Sequence, residues 1–82
     1  MTRDELKRLG ALCAEFRKSI GVTQTELGKE LGVSDKSVSH FENGRSTNLK
    51  YLCWYILNGL EVETIWRELG MTHGRAIHRS SF

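Results

Sequence analysis

The sequence predicts an all-α fold, a compact domain built from five short helices. Among its 82 residues there is no proline, and helix-forming residues dominate without the β-branched runs that strands favour. In several segments apolar side chains recur at intervals of three and four residues, which places them on one face of a helix. Capping residues precede these segments and glycines follow them. A chain of this length forms one domain, whose small core is workable without disulfides.

The first helix is predicted over residues 4–20. One apolar stripe defines it, formed by Leu6, Leu9, Cys13, Phe16 and Ile20. Gly10 interrupts the helix at a cost of about 1 kcal/mol relative to alanine. Gly21 is expected to end it.

The second and third helices are predicted in the central stretch, residues 23–45. Thr23 and Glu26 have the spacing of a capping box, in which each side chain bonds the other residue's backbone amide. Ser34 can cap the third helix in the same way. Gly32 falls between the two helices, where a left-handed residue would end the first of them. A helix, a short turn with glycine and a second helix form a helix-turn-helix pattern.

Two further helices follow a polar loop. Asn48 is a candidate cap for the fourth, whose regular apolar stripe consists of Leu49, Leu52, Cys53, Ile56, Leu57 and Leu60. The fifth is predicted over residues 61–69 and ends at Gly70. Its apolar face is formed by Val62, Ile65, Trp66 and Leu69. We expect the regular stripe of the fourth helix to face the core.

The fourth helix carries a second stripe, formed by Tyr51, Trp54, Tyr55 and Asn58. These side chains present too much apolar surface for a free face. Either the fifth helix folds over them, or they form a homodimer interface together with Trp66. The two interpretations are compatible, because a dimer could bury part of each aromatic side chain.

Composition and motifs narrow the functional classes. The net charge of +2 is only mildly basic, so charge alone does not indicate a nucleic-acid partner. No segment has the apolar length of a membrane span, and the mixed charges of the N-terminus do not suit a signal peptide. Cys13 and Cys53 form no metal or redox motif and lie on apolar stripes, so we expect reduced core residues in a cytoplasmic protein. His73 and His78 are poorly spaced for a metal. No catalytic set, cofactor motif or small-molecule site is visible, so an enzyme is not expected.

The central stretch resembles the helix-turn-helix of the Cro/phage-repressor class, the XRE family. Its most specific feature is the joint spacing of Gln24, Gly32 and Val38 with the run Glu42-Asn43-Gly44. The full set of matching residues is Arg17, Gln24, Leu27, Leu31, Gly32, Val33, Ser34, Ser37, Val38, Phe41, Glu42, Asn43, Gly44 and Arg45. The resemblance implies a lambda-repressor-like fold over residues 1–70. It also implies a transcriptional regulator, expected to be a repressor, that binds double-stranded DNA sequence-specifically.

In this class the second helix of the motif lies in the major groove. The resemblance therefore assigns base reading to Asp35, Lys36, Ser39 and His40. By their positions near the helix ends, the candidate phosphate contacts are Gln24, Ser34, Ser37, Asn43, Arg45 and Lys50. Lys36 suits guanine acceptors and Asp35 suits a cytosine amino group, although Asp35 could instead serve the helix dipole. Ser34 could be occupied as a cap, and Asn43 could only help the chain to turn.

The resemblance also implies an ion pair between Arg17 and Glu42 that ties the first helix to the third; the alternative is two solvated charges. Because basic residues are few, we expect a homodimer on a palindromic operator. The alternative function is an interaction module, antirepressor-like or antitoxin-like, that acts through a protein partner. The tail at residues 71–82 is basic, with Arg75 and Arg79. It is either solvated or in contact with DNA or a partner subunit.

Overall fold

The computed structural model describes residues 2–70, which form five α-helices. They are α1 (Arg3–Ser19), α2 (Gln24–Leu31), α3 (Asp35–Glu42), α4 (Leu49–Leu57) and α5 (Val62–Glu68). The predicted all-α, lambda-repressor-like architecture is confirmed, and each helix lies within three residues of its predicted bounds. No helix among the described residues is long and apolar enough to cross a membrane. The predicted tail at 71–82, with His73, Arg75, His78 and Arg79, lies outside the described residues.

The helix starts follow local sequence signals. At α2 the Thr23 hydroxyl accepts from the Glu26 amide at 3.0 Å, and the Glu26 carboxylate accepts from the Thr23 amide at 2.8 Å. This is the predicted capping box. The start of α1 has a second one, between Thr2 and Glu5, which we did not predict. These bonds are local in sequence, which is why the pattern alone locates most helix starts.

The starts of α3 and α4 are capped as predicted, and a glycine ends α2. Ser34 accepts from the Ser37 amide at 3.1 Å, and Asn48 accepts from the Lys50 amide at 3.0 Å. Gly32 follows α2 with φ at +71°, in the left-handed region. A side chain there would be strained, so glycine sets the tight turn between α2 and α3.

Glycine also lets α1 approach the end of α3. A Cβ atom at Gly10 would lie 2.5 Å from the carbonyl oxygen of Glu42 and 2.7 Å from that of Phe41. These neighbours are backbone atoms, which cannot rotate away. Glycine at position 10 therefore lowers the intrinsic stability of α1 as a helix, but it is required for the close contact between α1 and α3.

The core is one cluster with contributions from every helix. Its buried apolar members are Leu9, Cys13, Leu27, Val38, Phe41, Tyr51, Trp54, Tyr55, Leu60, Ile65 and Leu69. Arg17 and Glu42 are the buried charged residues of the described chain. The helix-turn-helix is thus held from one side by α1 and by α4.

The orientation predicted for α4 is wrong, because the aromatic stripe faces the core. Tyr51, Trp54 and Tyr55 are buried, with Tyr55 fully inaccessible. The ring of Phe41 stacks on Tyr51 and Tyr55 at centroid distances of 5.0 and 5.9 Å. Aromatic side chains bury more area than leucine, and edge or offset stacking adds to their stability. Of the two interpretations of this stripe, burial within the chain is therefore the one observed, and Tyr51, Trp54 and Tyr55 are not available to the predicted dimer interface.

Most of the regular stripe of α4 is correspondingly exposed, although Leu52 is partly buried and Leu60 is buried. Leu57 is 84% and Leu49 is 69% accessible, and Cys53 is exposed as well. The prediction that both cysteines are core residues is therefore correct for Cys13 and wrong for Cys53. Asn58 is also exposed, although its side-chain amide donates to the Trp54 carbonyl at 2.8 Å and helps to end α4.

Candidate functional site

The outer face of α3 is polar and accessible. Asp35, Lys36 and His40 are exposed, and Ser39 is partly buried. On the opposite face Val38 and Phe41 are buried in the core. The helix is therefore fixed through its apolar side and presents the side chains predicted to read bases.

Two concave surfaces lie along the exposed face of α3. The first, which we call the α2 groove, runs between α1, the start of α2 and α3. It is lined on its polar side by Glu15, Lys18, Thr23, Gln24, Thr25 and Asp35, with Arg17 and Glu42 beneath. Because both charge signs line it, this groove has a mixed potential.

The second concave surface, which we call the basic groove, lies between the start of α1, the outer face of α3 and the loop after α3. Its charged and ionisable lining residues are Arg3, Lys7, Lys36, His40 and Arg45. No carboxylate of residues 2–70 lines it. Arg3 and Lys7 were not predicted to contribute to a site, because they lie far from the helix-turn-helix in sequence. The close approach of α1 to Gly44, where a Cβ atom would lie 2.8 Å from the Lys7 amide nitrogen, places them beside α3.

Beneath the α2 groove, Glu42 is the centre of a buried hydrogen-bond network. Arg17 binds it through two nitrogens, Nε to Oε2 at 2.8 Å and Nη2 to Oε1 at 3.0 Å. Gln24 Nε2 donates to Oε1 at 3.0 Å, and the Tyr55 hydroxyl donates to Oε2 at 2.5 Å. Arg17 also donates to the Val22 carbonyl at 2.8 Å. The pair implied by the resemblance is present, and Gln24 and Tyr55 are partners that we did not predict.

The network sets the ionisation of its members. Burial alone would raise the pKa of Glu42, but hydrogen bonds from Arg17, Tyr55 and Gln24 outweigh it, so the pKa lies below its ordinary value. The hydrogen bond to Glu42 raises the pKa of Arg17 against the effect of burial. Burial first, and the bond to Glu42 second, raise the pKa of Tyr55. All three observations correspond to a carboxylate and a guanidinium that stay charged in the folded chain.

The residues predicted to bind phosphate have different surroundings. Arg45 and Lys50 are exposed, as such a role requires. Ser34 is occupied as the cap of α3, and its hydroxyl lies 3.1 Å from that of Ser37. Asn43 Nδ2 donates to the Ser39 carbonyl at 2.8 Å.

Gln24 is partly buried, and one of its amide hydrogens is engaged by Glu42. A phosphate contact from Gln24 would therefore use the other amide hydrogen. In the absence of such a contact, Gln24 still supports the start of α2 against the end of α3.

Comparison with known proteins agrees with this geometry. Residues 14–53 match the family model described as helix-turn-helix. The match begins in α1, before Arg17, and ends within α4, so it includes the buried network and the outer face of α3. Neither a curated protein nor a solved structure matches the chain.

Proposed function

We propose that this DNA-binding regulator is a sequence-specific repressor. The premise is that residues 14–53 form a helix-turn-helix of the Cro/phage-repressor type (XRE family). In the proposed complex α3 enters the major groove of double-stranded DNA. Its exposed side chains face base edges, and the surfaces on either side of it approach the phosphate backbone.

One observation carries this proposal: α3 presents a polar face that is bordered by two concave surfaces. A helix fits the major groove of B-DNA, whose walls are the two phosphate backbones. Lys36 and His40 lie in the basic groove, whereas Asp35 lies in the α2 groove. The arrangement therefore suits a duplex whose bases face the exposed side of α3, with one phosphate backbone along the basic groove and the other near Gln24 at the start of α2.

The base-reading roles follow from the side-chain chemistry. Lys36 is a donor for guanine O6 or N7, and Asp35 is an acceptor for cytosine N4. His40 can donate or accept according to its tautomer. Ser39 is short, partly buried and close to Asn43, with Asn43 Nδ2 lying 3.2 Å from its hydroxyl. We expect Lys36 and His40 to determine more of the sequence preference than Ser39.

The proposed active form is a homodimer on a palindromic operator. Of the six large apolar side chains exposed in the described chain, four lie between the end of α4 and α5: Ile56, Leu57, Val62 and Trp66. Trp66 was part of the predicted dimer interface. The interface proposed now includes the exposed Leu57 and leaves out the buried Tyr51, Trp54 and Tyr55. Two-fold pairing would place two copies of α3 about 34 Å apart, which is one turn of DNA.

The alternative, an interaction module for a protein partner, loses its main support. That alternative depended on an accessible aromatic stripe on α4. Tyr51, Trp54 and Tyr55 are instead buried in the core, and Trp54 Nε1 donates to Glu30 at 2.9 Å. The exposed apolar residues that remain suit a second copy of the chain as well as a different protein.

Selection from a random pool of duplex DNA tests the proposed function. We expect the wild-type chain to enrich a palindrome whose half-site centres are about one helical turn apart. Lys36→Ala and His40→Ala should each change the preference at one or two positions of the half-site. A matched control is Lys29→Ala on α2, which is exposed and lines neither groove. Failure of the wild-type chain to enrich any sequence would contradict the proposal.

A further inference from the structure

The basic groove contains two cations that the helix-turn-helix motif does not include. Arg3 and Lys7 lie on the first two turns of α1, outside the segment that matches the family model. They line the same concave surface as Lys36 and Arg45. Four basic side chains, contributed by three separate parts of the chain, therefore converge on one side of α3.

The charge of this groove is not neutralised within the described chain. The ion pairs found among residues 2–70 are Arg17–Glu42 and Glu63–Arg67, so none involves a cation of the basic groove. Asp4 and Glu5 are on the same turn as Arg3 but do not line the groove. Glu5 is also engaged in the capping box with Thr2. Like charges held close together without counter-charges favour a polyanionic ligand.

We propose that Arg3 and Lys7 bind the phosphate backbone of the same duplex whose bases face α3. This inference rests on the proposed function. Lys36 and His40 belong both to the basic groove and to the outer face of α3, so a ligand on α3 is continuous with a ligand in the groove. Arg45 lies at one end of the groove and α1 provides its other wall. The first turns of α1 thus extend the DNA contact beyond the helix-turn-helix itself.

A regular polyanion fits this arrangement better than a single anion does. A DNA strand carries one phosphate about every 3.4 Å along the helix axis, so a groove with separated cations can engage several phosphates together. An isolated acidic peptide could bind the same cations, but it would make no use of α3 as a helix that fits the major groove. The duplex is therefore the ligand that uses both features of the surface.

The salt dependence of DNA binding measures these contacts. We would compare the wild-type chain with Arg3→Gln/Lys7→Gln on a fluorescent mixed-sequence duplex of about 30 base pairs, roughly three helical turns. Each lost phosphate contact should reduce the slope of log Kobs against log salt by about 0.9, so the double variant should be shallower by roughly two per bound subunit. The matched control is Arg8→Gln/Lys29→Gln. It removes the same charge from exposed positions that do not line the basic groove, and the net charge falls from +2 to 0 in both variants.

The outcomes separate this inference from the proposed function. A shallower slope for the groove variant, with the control close to wild type, supports the inference. Equal slopes for the groove variant and wild type overturn it while leaving the proposed function intact. If the wild-type chain binds neither this duplex nor any sequence of the random pool, both proposals fail. Thermal melts verify that each variant is folded. If the double variant is unfolded, Arg3→Gln and Lys7→Gln are tested singly, and each must reduce the slope of log Kobs against log salt by about one.

Discussion

Glu42 is the residue on which the position of α3 depends most. Its two carboxylate oxygens accept four hydrogen bonds, from Arg17, Gln24 and Tyr55. These partners come from α1, α2 and α4, so one side chain at the end of α3 connects it to three other helices. A buried carboxylate without partners would be strongly unfavourable, whereas each oxygen of this one accepts two hydrogen bonds.

The first prediction concerns Glu42→Gln and its dependence on pH. At neutral pH the substitution leaves the buried Arg17 without a counter-charge, so the free energy of unfolding should fall by about 3 kcal/mol. Because folding lowers the pKa of Glu42 below its ordinary 4.5, the wild-type advantage is present above pH 4.5 and is lost as the pH falls through the folded-state pKa. Urea denaturation at a series of pH values measures the difference.

A matched control for this experiment is Tyr55→Phe. It removes one hydrogen bond, at a cost of about 1.5–3 kcal/mol, but keeps the carboxylate and its bonds to Arg17 and Gln24. Its stability should therefore keep the pH dependence that Glu42→Gln loses. A constant difference between wild type and Glu42→Gln across the acid range would contradict the assignment.

The side-chain contacts that the sequence predicted are those that are local or that belong to a known motif. Thr23 with Glu26 is local, and Arg17 with Glu42 was implied by the family pattern. Tyr55 was not assigned to Glu42, because nothing in the spacing of α4 relates its hydroxyl to an acceptor on another helix. A buried Tyr hydroxyl needs such an acceptor, but sequence does not state which one it has.

The packing of α1 against α3 depends on a residue that weakens α1 as an isolated helix. At most helical positions alanine is more stable than glycine by about 1 kcal/mol. At Gly10 the missing Cβ atom leaves room for the carbonyl groups of Phe41 and Glu42. Tertiary packing therefore overrides local propensity here, and it does so next to the network that holds α3.

The second prediction is that Gly10→Ala destabilises the chain. The new Cβ atom would lie 2.5 Å from a backbone oxygen, so α1 and α3 must separate, which should cost about 1–3 kcal/mol. The neighbouring Ala11→Gly is the control for propensity, since Ala11 is exposed and its loss should cost about 1 kcal/mol. Thermal unfolding followed by circular dichroism compares the two. A Gly10→Ala chain that melts at or above the wild-type temperature would show that the helices are not in close contact.

Helix α4 shows where periodicity alone is insufficient. Its sequence contains two apolar stripes, and the more regular one was expected to face inward. The observed core instead takes Tyr51, Trp54 and Tyr55, which have more area to bury and polar atoms that find partners on other helices. Spacing identifies the faces of a helix, but the choice between two apolar faces depends on what the neighbouring helices offer. In this chain the neighbour is the ring of Phe41 on α3.

Across the whole molecule, the distribution of charge matters more than its sum. The net charge of +2 suggested a weak electrostatic attraction to DNA. The fold nevertheless gathers Arg3, Lys7, Lys36 and Arg45 on one side of α3. Composition could not predict this, because the α1 residues reach α3 only through the close packing at Gly44. Most of the exposed large apolar side chains, including Leu57 and Trp66, lie instead at the end of α4 and on α5.

The third prediction concerns the dimer that a palindromic operator requires. Sedimentation over a concentration series should show wild-type self-association, which Leu57→Gln or Trp66→Gln should weaken. Burial of one such side chain contributes about 1.5–3 kcal/mol. Because a two-fold dimer carries each substitution in both subunits, each variant should raise the dimer dissociation constant by roughly a hundredfold or more. Leu49→Gln is the control, because Leu49 is 69% exposed at the other end of α4. A wild-type chain that stays monomeric with and without DNA would exclude the dimer. Equal weakening by all three variants would show that the interface is not restricted to the end of α4 and α5, because Leu49 lies at the start of α4.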